Sequence, residues 1–157
     1  MAEEGCRPAT PDDLPRLVAL AEQAIVEKRA QRGGEVWART DARRPPFEPR
    51  FEEELASGRR RVLVGTLDGT ILGYGAARID ELHDGSRLGV VTDLYVEPDG
   101  REVGIGEAVM NGLVAWCTGE GCFGVDSLAL PGDRHTKNFF ETFGLVARAI
   151  VVHRSLP

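Results

Sequence analysis

Leu94 to Gly106, LYVEPDGREVGIG, is the stretch that most narrows what this chain can fold into. Apolar Leu94-Tyr95-Val96 ends a strand pattern, Pro98-Asp99-Gly100 turns it, and Gly104-x-Gly106 opens directly onto a long helical pattern. So short a turn pins the N-terminus of the helix beside the end of the strand. The first amides of a helix lack intrahelical partners, and its dipole places partial positive charge on them. Glycine at 104 and 106 lets a ligand reach the backbone without meeting a side chain. The junction predicts a phosphate or pyrophosphate site, with Arg101 adding charge one turn ahead of the glycines. The same Gly-x-Gly also suits a close helix–strand contact with no ligand, and spacing alone leaves both readings open. A dinucleotide fingerprint fits poorly, because Val109 fills the third glycine position and the motif sits late in the chain, and no Gly-Lys-Ser/Thr follows to make a nucleoside-triphosphate loop. Glu102 and Glu107 suit an anion site only if they point to water.

The rest of the composition limits what such a site serves. A chain of 157 residues, 42% hydrophobic, reads as one domain over residues 1–157 with a full core. Its net charge of -6 argues against a nucleic-acid or anionic-membrane partner. Cys6, Cys117 and Cys122 are odd in number and lack ligand spacing, so neither a disulfide framework nor a metal site is expected. The acidic start MAEEG has no apolar signal core, and no apolar run approaches the about 18 residues of a membrane span. A soluble, cytoplasmic protein is the expectation.

Periodicity yields a coarse order of elements. Cys6–Thr10 reads as a strand, and Thr10-Pro11-Asp12-Asp13 starts a helix whose apolar stripe is Leu14, Leu17, Val18, Ala21 and Ile25. Residues 29–49, rich in Arg, Gly and Pro, read as a long irregular segment, and a short helix follows at 51–56. Strands 61–67 and 71–79 flank a tight Asp68-Gly69 turn, and a third covers 88–96. Helix 104–118 carries Ile105, Val109, Leu113 and Trp116 on one face. Strand 123–130, helix 133–143 and one or two strands within 145–153 close the chain. Three consecutive strands predict an antiparallel meander, and the later β-α-β a parallel crossover. The expected architecture is α+β, a mixed sheet with helices on both faces.

Leu94-Tyr95-Val96, Pro98 and Arg101-x-x-Gly104-x-Gly106 together resemble the acyl-CoA-binding signature of the GNAT N-acetyltransferase superfamily. Pro11-Asp12-Asp13-Leu14 is similar to that family's opening, and Phe139-Phe140-Glu141-x-x-Gly144-Leu145 to its Phe-Tyr-Glu-x-x-Gly-Phe segment. The element order agrees from end to end. The resemblance implies a GNAT-like fold, with a mostly antiparallel mixed sheet of six to seven strands. It implies acetyl-CoA as co-substrate, without a metal, lying where the strand through Leu94, Tyr95 and Val96 splays from the next. Backbone groups of Leu94 and Val96 would pair with the pantetheine arm. The amides of Arg101, Glu102, Val103, Gly104, Ile105 and Gly106 would hold the pyrophosphate. Asp133 stands where the family often has an asparagine reaching the pantetheine. The implied reaction is direct attack by a primary amine of a small molecule, peptide or protein, with the Leu94 amide as an oxyanion donor. Homodimers are frequent in the family.

The departures concern the proton-transfer groups. Phe140 occupies the position of the family's frequent tyrosine acid and has no proton to donate. Thr92 and Val90 stand where a glutamate base is common. Asp93 is turned by strand alternation to the face opposite Leu94, which favours a structural carboxylate. His83, His135, Lys137, His153 and Ser127 each have a plain structural reading, and Trp37 and Phe47 either wall a substrate pocket or pin their loop. The sequence therefore assigns no catalytic acid or base. Two functions follow, an acetyl-CoA-dependent N-acetyltransferase or a catalytically weak acyl-CoA-binding regulatory module.

Overall fold

Strand alternation sorts the apolar residues into two cores, one on each face of a single sheet. The computed structural model describes residues 2–157. Strands β1 (Glu4–Pro8), β2 (Arg60–Leu67), β3 (Thr70–Glu81), β4 (Arg87–Val96) and β5 (Gly124–Ser127) lie in sequence order. All pairs are antiparallel except β4 with β5, which is parallel and joined through a helical crossover. On one face, Leu14, Leu17, Leu20 and Ala21 of α1 (Leu14–Arg29) and Phe51 of α3 (Phe47–Ala56) meet Val62, Val64, Tyr74 and Ala76. On the other, Val109, Met110 and Leu113 of α4 (Ile105–Gly119) and Phe140 of α5 (Arg134–Thr142) meet Leu63, Ala77 and Val91. Val62, Leu63 and Val64 alternate between these cores as the two-residue period requires. Each fully buried aliphatic side chain contributes about 1.5–3 kcal/mol.

The approach of α4 to the sheet is unusually close, and glycines make it so. A Cβ at Gly65 on β2 would come within 2.5 Å of Ile105 Cγ2, and one at Gly75 on β3 within 2.6 Å of Val109 Cγ1. At Gly89 on β4 it would overlap the Cys117 sulfur. Ile105, Val109, Leu113 and Cys117 recur every four residues and form the stripe that rests in this trough. The start of α4 is thereby held beside the end of β4.

Several boundaries differ from expectation. The sheet has five strands rather than six to seven, because residues 145–153 form none. The last backbone hydrogen bond before the C-terminus is Leu145 N–H to the Phe140 carbonyl. β5 is only four residues long, so it offers a short edge on which to extend the sheet. β1 ends at Pro8, and Thr10 instead donates its amide to the Asp13 carboxylate at the start of the helical segment. The segment read as irregular contains α2 (Gly34–Thr40), entered through Gly33 at φ +82°. α3 begins at Phe47 instead of residue 51.

Gly75→Ala should lower stability by about 1–3 kcal/mol, since its methyl group must displace Val109 and Leu113 or lift α4. Urea unfolding should show a reduced midpoint with an unchanged slope. An unaltered midpoint would mean that the trough has slack.

Candidate active site

β4 is paired on both sides only along its first part. The ladder with β5 stops at Val91↔Ser127, whereas the ladder with β3 continues to Val96↔Gly73. A bulge divides the strand: Ala76 faces Asp93 but Ala77 faces Val91, leaving Thr92 unopposed. Past the bulge, the carbonyls of Asp93 and Tyr95 face β3, where Cβ atoms on Gly75 and Gly73 would lie 3.3 and 2.7 Å from them. Alternation turns the backbone groups of Leu94 and Val96 the other way, into the gap beside β5. Arg101 Nε donates to the Val96 carbonyl at 2.8 Å. Among the described residues, the Leu94 amide and carbonyl and the Val96 amide meet no backbone partner across that gap.

The start of α4 lies at the same end of β4. Gly104, at φ +90°, is its N-cap and provides no capping side chain. Among the described residues, no backbone carbonyl accepts from the amides of Glu102 to Glu107. The side chains of Glu102, Val103 and Glu107 are exposed, so neither carboxylate folds over these donors. Ile105 is fully buried under the helix, and a Cβ on Gly106 would lie 3.6 Å from Phe139 Cε2 and 3.7 Å from Val96 Cγ2. Phe139 thus brings α5 against the first turn of α4 and the end of β4. Its ring also packs on Phe143 and edge-on to Phe140, with centroids at 5.0 and 5.9 Å. Phe140 is buried in the second core. Asp133 caps α5, accepting from the Thr136 amide at 3.1 Å and its hydroxyl at 2.6 Å.

Arg101 is aimed elsewhere. Its guanidinium pairs with Glu27 of α1 at 2.8 Å, its carbon lies 5.6 Å from the Tyr95 ring centre, and its amide donates to the Pro98 carbonyl. Tyr95 also donates its hydroxyl to Glu27 at 3.1 Å. Arg101 and Tyr95 fasten the loop to α1, and the free donors begin one residue later.

On the opposite face of β4 lies a buried ionic network. Arg43, between α2 and α3, pairs with Glu54 of α3 and with Asp93, whose Oδ2 lies 3.0 Å from Arg43 Nε. Tyr74 donates to Asp93 at 2.6 Å, and Thr92 at 2.7 Å. Burial alone would raise the Asp93 carboxyl, but the Arg43 guanidinium and these hydrogen bonds hold it below its ordinary value. Burial and the adjacent Asp93 charge push Tyr74 well up. Every Asp93 oxygen is occupied, so this carboxylate ties the loop to the strand.

A family model described as the Acetyltransferase (GNAT) family matches residues 20–145. The chain belongs to the GNAT acetyltransferases. No curated protein matches it. Among solved structures, the aminoglycoside N-acetyltransferase AAC(6')-Iy in complex with a CoA-containing bisubstrate analogue is 18% identical, covers 99% of each chain and has a TM-score of 0.76. Glucosamine-6-phosphate N-acetyltransferase from Arabidopsis thaliana is 20% identical over 99% of each chain, with a TM-score of 0.70. A putative acetyltransferase from Agrobacterium tumefaciens is 19% identical over 97% of this chain and 99% of its own, at 0.73. These likenesses establish the fold, and the family places the chain among the acyltransferases.

Around this GNAT framework the other sequence candidates are scattered. His83 borders an open cavity of about 600 Å³ with Leu82, Asp84, Ser86 and Phe123, at the end of β4 remote from Val96. His135 and Lys137 are exposed on α5, and His153 meets only Ser155. Ser127 donates to the Val91 carbonyl at 3.5 Å, and Phe47 packs on the first core. Three participants escaped sequence reasoning. Glu54 lies three residues beyond buried Phe51, where an apolar residue is expected, and Lys28 continues the stripe of α1. Those misplaced charges were the available signal, whereas Arg43 stands in an Arg-Pro run with none. Lys28 Nζ lies 4.7 Å over the Trp37 ring, and burial lowers its pKa against the opposing pull of Asp133, Asp93 and Asp41.

Arg43→Met should destabilise the protein by about 3–5 kcal/mol, because two buried carboxylates lose their counter-charge. Asp93 gives a pH signature with a definite sign. Its folded pKa is depressed, so its contribution is present above the ordinary carboxylate value and fades as the pH falls below about 4. Urea midpoints measured from pH 7 downward should show a shallower acid loss in Asp93→Asn than in the parent. Parallel curves would remove Asp93 from the account of acid stability.

Proposed function

We propose that this chain transfers an acetyl group from acetyl-CoA to a primary amine of a small molecule or peptide, by direct attack within a ternary complex. The observation that carries this reading is that two sets of unpaired backbone groups meet at one end of β4. The Leu94–Val96 edge offers a strand-like partner to the amides of a pantetheine arm. The amides of Glu102, Val103, Gly104, Ile105 and Gly106, at the positive end of α4, offer donors to a pyrophosphate. Tyr95 and Arg101 hold that loop in place, Asp133 anchors the helix across the gap, and Phe140 backs the site with an apolar wall.

Chemistry would occur where the Leu94 amide points into the gap. There it can donate to the carbonyl oxygen as negative charge develops during amine attack, an effect typically of about 10²–10³ in rate. The departing thiolate, from a thiol of pKa about 8.5, does not require a protein acid to leave. Aligning amine and thioester supplies more acceleration than the missing proton transfer would. The amine acceptor is supported by the small amines in the names of two similar structures, acetylneamine and glucosamine-6-phosphate. No helix is long and apolar enough to cross a membrane, and a cytoplasmic enzyme fits this reading.

Gly106→Glu tests the donor site without straining the backbone, because its Cβ would make only ordinary contacts. Its carboxylate beside the cradle should weaken acetyl-CoA binding in calorimetry by about tenfold or more, or ~1.4 kcal/mol, while the melting temperature stays near the parent's. Undiminished binding would move the donor site elsewhere. The parent should release free CoA thiol in the presence of an amine panel, above the amine-free rate. Tight binding without release on any amine would replace the transferase with the acyl-CoA-binding regulatory module.

A further inference from the structure

The way α4 ends brings two thiols together. Gly121, at φ +78°, takes the left-handed conformation that stops a helix, and its amide donates to the Thr118 carbonyl at 3.1 Å. The next amide, that of Cys122, reaches back to the Cys117 carbonyl, also at 3.1 Å. These two bonds make a Schellman closure, whose geometry sets the residue after the glycine against the one five positions earlier. Apolar side chains commonly fill that contact. Here both positions are cysteine, and both are free thiols.

The two sulfurs differ in what can reach them. Cys117 is fully buried in the trough, where a Cβ on Gly89 would lie 2.4 Å from its sulfur. Burial, then the charge and side-chain hydrogen bond of the Cys122 thiol, push the Cys117 thiol up to about 11. Such a hydrogen bond is a contact between the two thiols. Cys122 is half-buried in the turn that leads into β5, so solutes meet it first. Cys6 lies on β1, beside Gly112 of α4, and β1 is three strands across the sheet from β4. Of the three thiols, the fold therefore brings one pair together.

We infer that Cys117 and Cys122 form a redox modification site, a dithiol that a peroxide closes into a disulfide and a dithiol reductant reopens. The chemistry balances on these two residues. The Cys122 sulfur attacks hydrogen peroxide, its S–O bond forms as the O–O bond breaks, and one water leaves. The Cys117 sulfur then attacks the Cys122 sulfenic acid. The S–S bond forms, and the departing hydroxide takes the Cys117 proton as a second water. Two thiols give up two electrons and two protons, and the peroxide takes up both. A thiol as weakly acidic as Cys117 is a slow nucleophile, but contact with its target replaces a bimolecular encounter. Cross-links between distant segments restrict an unfolded chain most. This one would close only the loop 117–122, which suits a bond that opens and closes rather than one that braces the fold. It would tie the end of α4 to the start of β5, far from the donor amides at the other end of that helix, so acetyl transfer is not its readout.

Treating the full chain with hydrogen peroxide should lower the thiols that titrate under denaturing conditions from three to one, with loss of the mass of two hydrogens. Dithiothreitol should restore all three. A glutamate-specific protease cuts after Glu120 and so separates the two cysteines. Their peptides should stay joined in the oxidised digest and part on reduction. Cys6→Ser should close the same bond, whereas Cys122→Ser should keep Cys117 reduced under the same treatment. Three thiols surviving in the parent would overturn the site. So would Cys122 carried on to sulfinic acid with Cys117 still reduced, or a disulfide that joins two chains or includes Cys6.

Discussion

The site depends on how near α4 can come to the sheet. Gly65, Gly75 and Gly89, on three adjacent strands, leave a trough into which Ile105, Val109 and Cys117 descend. Side chains at those positions would lift the helix by the depth of a methyl group. The amides of its first turn would then leave the end of β4, and the free strand edge and the free helix N-terminus would no longer face one ligand. Close packing at glycine is thus the condition for two backbone features to act together. Neither feature depends on the side chain at Phe140 or Thr92.

The second constraint is the bulge at Thr92. Val91 and Leu94, three residues apart, both turn toward α4, which an unbroken strand would forbid. Asp93 is left facing Tyr74 and the loop that carries Arg43. The bulge lies where pairing with β5 ends, so one irregularity opens the edge and aims a carboxylate at the opposite face. The network around Asp93 then fastens an otherwise irregular loop to β4.

Much of this architecture was legible because it rests on local pattern. The Asp68-Gly69 turn, the two-residue alternation of β2 and the four-residue stripe of α4 are each visible within a dozen residues. The Pro-Asp-Gly and Gly-x-Gly spacing likewise marked the junction at which β4 ends and α4 begins. What escaped depends on distant partners. Arg43 and Glu54 meet Asp93 only after three elements have packed, and nothing near Arg43 announces that. Arg101 looked free for a phosphate because Glu27 is far away in sequence. α2 is too short, and too flanked by glycine, to show a period. The strand expected within 145–153 does not form, because β-propensity alone supplies no edge for the segment to pair with.

The two cores do not share a side chain, and that separation divides the molecule by task. Most of what is proposed to hold the donor rests on the core beneath α4 and α5, while α1 and α3 stand on the other and reach the donor loop only through Tyr95 and the Glu27–Arg101 pair. Mutations that reshape α2, α3 and their connecting loop can therefore accumulate without loosening the donor cradle, so long as Arg43 keeps its hold on Asp93. A lineage built this way can change its clientele while keeping one currency. The cost of each experiment falls on one half of the fold, which makes the acceptor side the natural place to graft new specificity.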